Sequence, residues 1–467
     1  MSKKMQTIKN NMIYVVLLIV TFLTTFCMLI TFDYWDLDSM TAWSLNVWDL
    51  LFQGRLGEFY QYAELNLRGA FHANCAGNYL WLLPWCIWNF PLWIVHTVTG
   101  VMDVTDFWSL CWSKLYLVNL SVATAWMCAK ITRLFTEEPE RIFSVYILIL
   151  AAPELLMSTC YAGQDEILYV FCFVTALYFY LKGEMKYFYF WSLCAISFCT
   201  IMIVPFLLLL LLKEKNIYKI GGVTVGMLLP TVLFDFLYQN DKIYLSAKTD
   251  FTDMILEMFG VASINTVLGP VSILGVFLVI LYFYSYGIKV KSDKASQKKV
   301  IYVLAVVFIL MGLFMGNNFY RLFLYVPFLV LLLITSEKNL QMNLFLLLVS
   351  TFGRSLLACA VNNSQNMNTA FIMKNSWISN LSAAVNGNQG IKDLGLYDKL
   401  MLRFPFFPGI VMVVTVCAVA AMALLVIINY PKYKIEHEFP INEKISLAGY
   451  VLCMPFILVL WFITLLR

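Results

Sequence analysis

Long apolar runs, each bounded by a few charged or turn-forming residues, recur along this chain with little strict alternation between them. A helix needs roughly 20 apolar residues to cross a hydrocarbon core. Runs at 12–31, 109–130, 143–160, 166–182, 219–239, 266–287, 300–315, 322–335, 340–358, 408–429 and 445–466 are therefore read as spans. The run 187–212 is long enough for one more, yet Lys186 precedes it and Lys213 and Lys215 follow. A break between Thr200 and Pro205 makes two short helices of it and leaves both basic clusters on one side. Lipid satisfies no backbone hydrogen bonds, so the spans must be helices, and the alternating ten-residue segments of a membrane barrel are missing. The expected class is all-α, a polytopic membrane protein with about 13 transmembrane helices.

Two stretches interrupt that rhythm. Residues 32–108 are read as one large external loop carrying interfacial helices. One helix is expected over 39–53, with Asp38 or Ser39 as its cap and Gly54 as its end. The other is 79–98, where four tryptophans and two prolines suit a helix lying in the headgroup region. A second external loop, 359–407, is rich in Asn, Ser and Gly and carries Asn-x-Ser sequons at Asn362 and Asn380. The basic loop 288–299 reads as a cytosolic linker. The amino-terminal run Met12 to Thr31 follows Lys3, Lys4 and Lys9, is long, and lacks a small-residue cleavage site, so it reads as an uncleaved span.

Composition sharpens the class without changing it. Of 467 residues 61% are hydrophobic and only 13% charged, against about 25% charged in soluble domains; mean hydropathy is +0.78. The net charge of +4 sits in short loops and gives no reason to expect nucleic acid as a partner. Most Lys and Arg fall in short loops on one side, which places the amino terminus in the cytosol and the carboxyl end outside. The twelve cysteines are scattered, many inside apolar runs, with no metal-binding spacing. They read as small packed hydrophobes. The three histidines, His72, His96 and His437, are too far apart in sequence to suggest a metal site.

Acids collect at one rim of the membrane, where hydrocarbon penalises carboxylates and function tends to hold them. Asp33, Asp36 and Asp38 follow the first span. One of them could serve as general base toward an attacking hydroxyl; Asp36 and Asp38 would also be the ligands if a divalent cation were needed. Any one of them is equally a solvated loop charge. Gln164, Asp165 and Glu166 top a later span, as a solvated turn or as groups that grip sugar hydroxyls. Arg321 stands at the mouth of a span, shaped to hold a phosphate or simply to snorkel. Lys242 and Lys248 are further phosphate candidates, with Arg354 and Arg403 behind them. Asp235 lies near the end of a span with no partner evident in the sequence. Other mid-span positions are nearly all apolar.

In this layout the chain resembles the C-type (GT-C) membrane glycosyltransferases, which include protein mannosyltransferases and the aminoarabinose transferase. The likeness rests on several features in order. A first span leads to Asp36-Leu37-Asp38-Ser39 and a helix ending at Gly54; an aromatic, proline-bearing stretch runs from Tyr79 to Trp93. A span then ends in Ala129-Lys130-Ile131-Thr132-Arg133, and Ala152-Pro153 leads to Gly163-Gln164-Asp165-Glu166. Two short helices and Arg321 with Pro327 complete the sequence. The resemblance implies a catalytic module over 1–335 and a variable carboxy-terminal region over 336–467. It implies inverting transfer of a sugar from a polyprenyl-phosphate donor to a glycan, lipid or protein acceptor at the outer face of the cell membrane. A first-loop aspartate, Asp38 by spacing to Gly54 and then Asp36 or Asp33, would be the base. No cofactor is implied beyond the cation option. The chain departs from the pattern in having three aspartates for one acid, and in lacking a lysine at the break near Thr200. A flippase or transporter of lipid-linked glycans, or a polysaccharide polymerase, is the competing expectation.

Overall fold

The computed structural model describes residues 3–72, 75, 79–267, 269–288, 290, 293–314, 319–336, 340–360, 371–372, 404–431 and 442–465. Most of the 359–407 loop, with both sequons and Arg403, lies outside the described residues, as do His437 and part of the 288–299 linker. Helix dominates, and among the described residues six helices are long and apolar enough to cross a membrane unaided: Met12–Thr31, Phe107–Thr132, Ile217–Leu237, Lys294–Phe314, Leu340–Leu357 and Phe407–Ile428. The pair Pro139–Leu150 and Pro153–Tyr161 makes a seventh if its 44° bend is one broken span. The protein is a helical membrane protein.

The chain forms two compact units. The first gathers Met1–Phe32, Ser121–Tyr161 and Asn317–Arg467; the second gathers Asp33–Leu120 and Ala162–Gly316. In the first, helix α1 (Lys3–Thr31) packs on the helix Pro139–Leu150 and on the carboxy-terminal helix Glu443–Leu465. The helix Leu340–Ala360 packs between Phe407–Ile428 and Glu443–Leu465. That sandwich is tight because a Cβ on Gly353 would stand 2.9 Å from the Ala418 methyl, and one on Gly449 2.9 Å from the Leu348 side chain. Asn343 and Asn429 exchange side-chain hydrogen bonds of 3.0 and 2.8 Å inside it, so neither amide is left unsatisfied in lipid-like surroundings.

The second unit carries the candidate chemistry. Helix α2 (Trp35–Phe52) packs on a short helix, α3 (Phe59–Glu64), and on α4 (Leu83–Thr99). The same unit holds the amino-terminal part of α5 (Phe107–Thr132) and α6 (Glu166–Lys182), α7 (Met185–Phe198), α8 (Ile203–Lys213), α9 (Ile217–Leu237) and α10 (Lys242–Gly260). A hairpin, Ser263–Thr266 against Gly269–Ser272, precedes the helices Ile273–Gly287 and Lys294–Phe314. Helix α6 is buried nearly all round, as expected of a helix without a polar face.

Several boundaries differ from expectation for identifiable reasons. The long run 187–212 does break, at Cys199 to Met202, and Pro205 falls in the first turn of α8, where its missing N–H costs nothing. The run 143–160 is not one straight span: Pro153 starts a new helix after Ala152, as a ring that clashes with the preceding turn requires. The 266–287 run is helical only from Ile273, and 322–335 begins with a 3-10 turn, Phe319–Tyr325. Helix α2 starts at Trp35, four residues before the expected 39. Its cap is Tyr34, extended at φ −141°, with no side-chain bond. Asp38 and Ser39 do not cap it because their oxygens are taken by another loop. Its end at Gly54, φ +68°, is as expected.

Candidate functional site

The site grows from three segments of the second unit. Starting α2 at Trp35 puts Asp36 and Asp38 in its first turn, where the helix dipole favours a carboxylate. The turn after Ala162 then brings Gln164 onto Asp36. This depends on Gly163, which has φ +61°, and where a Cβ would stand 2.6 Å from the Leu37 Cβ. Only glycine fits both that dihedral and that approach. Gln164, itself buried, donates from Nε2 to Asp36 Oδ2 and to the Ala162 carbonyl at 3.3 Å. The third segment, the loop after α3, sets His72 Nε2 3.5 Å from Asp36 Oδ1. The Asp36 side chain keeps 26% of its surface exposed and that of His72 keeps 47%.

Asp38 is used differently. It is buried, and its Oδ1 accepts the Phe71 N–H at 3.2 Å and lies 3.0 Å from the Ser39 hydroxyl. Ser39 Oγ in turn accepts the His72 N–H at 2.9 Å. Burial pushes the Asp38 carboxyl up to about 6. The Phe71 N–H pulls it back, the charge of Asp33 adds to the rise, and the bonds from Ser39 oppose it. Asp33 thus acts on the same neighbourhood through its field.

Asp165 and Glu166 sit beside Gln164 at the start of α6, Asp165 as its half-buried cap residue without a capping bond and Glu166 buried in the first turn. Asp165 is within electrostatic reach of Tyr116 on α5. Lys248 does not present a free ammonium to a phosphate: it pairs with Asp235 at 2.6 Å, and Tyr244 donates its hydroxyl to the same carboxylate. That answers the question of Asp235's partner. Lys242 is exposed at the start of α10. Arg321 belongs to the first unit, on the 3-10 turn ahead of Val326. Asp36 and Asp38 point their oxygens at different partners, and among the described residues no group of three or more His, Cys, Asp or Glu converges as a metal site.

The sequence marks His72 as an external histidine that could matter, but nothing in its spacing reveals that the loop folds back on α2. Lys114 escaped the sequence reading: it is fully buried on α5 beside Ser113, whose Oγ accepts the Thr41 hydroxyl of α2 at 2.8 Å. The signal was there, since a lysine inside an apolar run is costly. In the first unit Arg354, a phosphate candidate in the sequence, is instead buried in an ion pair of 2.8 Å with Glu154, contrary to the expectation of nearly apolar span interiors.

No protein-family model, curated protein or solved structure matches this chain. The site's own chemistry therefore has to carry the functional reading.

Proposed function

We propose that the protein is a membrane glycosyltransferase of GT-C-like architecture, with about 13 spans, the amino terminus in the cytosol and the site on the extracytoplasmic face. It moves a sugar from a polyprenyl-phosphate donor to a hydroxyl of a glycan, lipid or protein. The observation that carries this reading is the Asp36 carboxylate, partly exposed, bonded by Gln164 and approached to 3.5 Å by His72 Nε2, from segments far apart in sequence. A carboxylate oriented by an amide and neighboured by an imidazole, just after the first span, is arranged for proton abstraction beside a lipid surface.

Asp36 suits the base because it is partly exposed, whereas Asp38 is buried and committed to the loop that holds His72. The acceptor oxygen attacks the sugar's anomeric carbon as its proton passes to Asp36. The bond from that carbon to the phosphate oxygen breaks with its electron pair leaving on the polyprenyl phosphate, and the configuration inverts. A cation that meets the departing phosphate favours the transition state over the ground state; Lys242, exposed in the same unit as Asp36, is the candidate. The lipid tail would remain in hydrocarbon throughout.

The competing reading, a lipid-linked glycan transporter, gains support from the buried Glu154–Arg354 pair, since charges inside spans often mark transport pathways. One experiment separates the two. Purified protein and its Asp36→Asn, Asp38→Asn and Lys242→Ala variants are given radiolabelled polyprenyl-phosphate sugars and extracted envelope acceptors. Transfer that falls about 10²–10³-fold in Asp36→Asn, with the fold retained, supports the enzyme. Full transfer by every variant, or no donor consumed by wild type, gives the transporter precedence. Cysteine labelling from outside at residue 72 tests the sidedness.

A further inference from the structure

The polar trio has an aromatic wall. Trp35, the residue before Asp36, stacks on Phe71 with ring centroids 4.8 Å apart and planes 30° apart. The His72 ring stands edge-on to Phe71 at 4.9 Å and to Trp35 at 6.3 Å. Phe71 remains 57% exposed, although hydrophobic burial would reward hiding a ring of that size. The exposure is not a consequence of a slack loop. The Phe71 N–H is bonded to Asp38, the His72 N–H to Ser39 and the Asn66 amide to the Ala70 carbonyl at 2.8 Å. Arg68, almost fully buried, fastens the same loop to Asp49 and Asn46. The chain therefore spends a set of hydrogen bonds to hold an apolar ring in place against Trp35 and the His72 imidazole, the two neighbours that lead to Asp36.

That pairing of surfaces has a specific complement. A pyranose ring has one apolar face of C–H bonds and an equatorial rim of hydroxyls. The C–H face matches the electron-rich face of an aromatic ring, and the hydroxyls match convergent acceptors and donors. An isoprenoid chain would use the rings but not Asp36, Gln164 and His72; a bare phosphate would be repelled by Asp36. We infer that Trp35, Phe71 and His72 form a stacking subsite for a pyranose ring whose hydroxyls reach Asp36. This rests on the glycosyltransferase reading for the origin of the ring, either the donor's sugar or a glycan acceptor.

The test uses the full chain in lipid nanodiscs. Binding of a panel of methyl hexo- and pentopyranosides, of citronellyl-phosphate hexose and of citronellyl phosphate is followed by saturation-transfer NMR and direct titration. For the sugar-bearing probe that wild type binds, Phe71→Ala should weaken affinity about tenfold, and Phe71→Tyr should restore it. Citronellyl phosphate should be indifferent to both. A loss seen with citronellyl-phosphate hexose assigns the ring to the donor; a loss confined to the methyl pyranosides assigns it to the acceptor. Unchanged sugar binding in Phe71→Ala overturns the inference, as does absence of any sugar binding by wild type. An equal loss for citronellyl phosphate also overturns it, because the rings would then serve the lipid chain. Transfer activity measured in parallel keeps the two ideas apart. Active transfer with unaffected sugar binding in Phe71→Ala sinks the subsite alone, while Phe71-dependent sugar binding without any transfer sinks the enzyme alone.

Discussion

At Asp38 a single side chain joins the first turn of α2 to the loop that presents His72, and its titration should be visible. Burial raises its carboxyl to about 6 from an ordinary value of 3.8, so the folded protein holds that proton more tightly than the unfolded chain. Its contribution to stability is then full below about pH 4 and is lost as pH rises through about 6. Asp38→Asn removes the titration while keeping an oxygen to accept the Phe71 N–H. Thermal unfolding between pH 4 and 7 should show the variant gaining on wild type as pH increases; a constant difference across that range would mean that Asp38 does not titrate there. Gly163 makes the second prediction. Alanine would face a left-handed dihedral costing ~1–2 kcal/mol and a Cβ 2.6 Å from that of Leu37, a backbone-anchored atom that cannot swing aside. Gly163→Ala should lower stability by at least that strain and pull Gln164 from Asp36. Transfer activity should fall with it, whereas Gly100→Ala, left-handed but with nothing within 4 Å, should show only the strain.

Among the elements, the loop after α3 is the one whose order the site depends on, and Arg68 is its fastening. Its Nη2 meets Asp49 Oδ2 at 2.6 Å and its Nε meets Asn46 Oδ1 at 3.0 Å, while Trp93 donates to the other Asp49 oxygen at 2.8 Å. Removing one partner of such a buried pair leaves the other charge uncompensated, at a cost of about 3 kcal/mol. Arg68→Met should therefore destabilise the protein and expose residues 65–72 to limited proteolysis, and adding Asp49→Asn should recover part of the loss; additive losses would mean the pair is not coupled. The same region shows what the sequence makes legible. Apolar length marked the six helices among the described residues that are long and apolar enough to cross a membrane, and proline and flanking lysines identified the break before α8, because those signals are local. The start of α2 was misplaced because Asp38 and Ser39 look like caps, and only the folded loop reveals that their oxygens serve Phe71 and His72. Asp36 was legible as an acid at a rim, but His72, 36 positions further on, was not legible as its neighbour. Lys248 looked available for phosphate until the fold set Asp235 against it.

At the scale of the whole molecule, the least expected feature is charge buried among the apolar helices of the first unit. Glu154 starts the second half of the bent span and Arg354 lies two hundred residues later on the helix Leu340–Ala360, so no spacing rule could pair them. Tyr325 donates to Glu154 Oε1 at 3.2 Å and its ring lies 4.9 Å from the guanidinium carbon of Arg354, while Arg354 Nε donates to the Ser350 carbonyl at 3.1 Å. Yet Glu154 Oε2 and Arg354 Nη1 are buried without hydrogen-bond partners among the described residues. An incompletely satisfied buried ion pair is a poor source of stability, because desolvation offsets most of its attraction. It does, however, fix which turn of one helix meets which turn of another. The consequence is a sign pattern rather than a magnitude. Glu154→Leu alone and Arg354→Met alone should each cost about 3–5 kcal/mol, by stranding a charge in the interior. The double variant Glu154→Leu with Arg354→Met should recover most of that loss, since apolar side chains of similar size suit the site. Thermal unfolding of the four proteins in one detergent measures the coupling directly. If the double variant is as unstable as the two losses combined, each residue is held by something other than its partner. If instead the double variant is stable and still transfers sugar, the pair is structural and the transporter reading loses the observation that favours it.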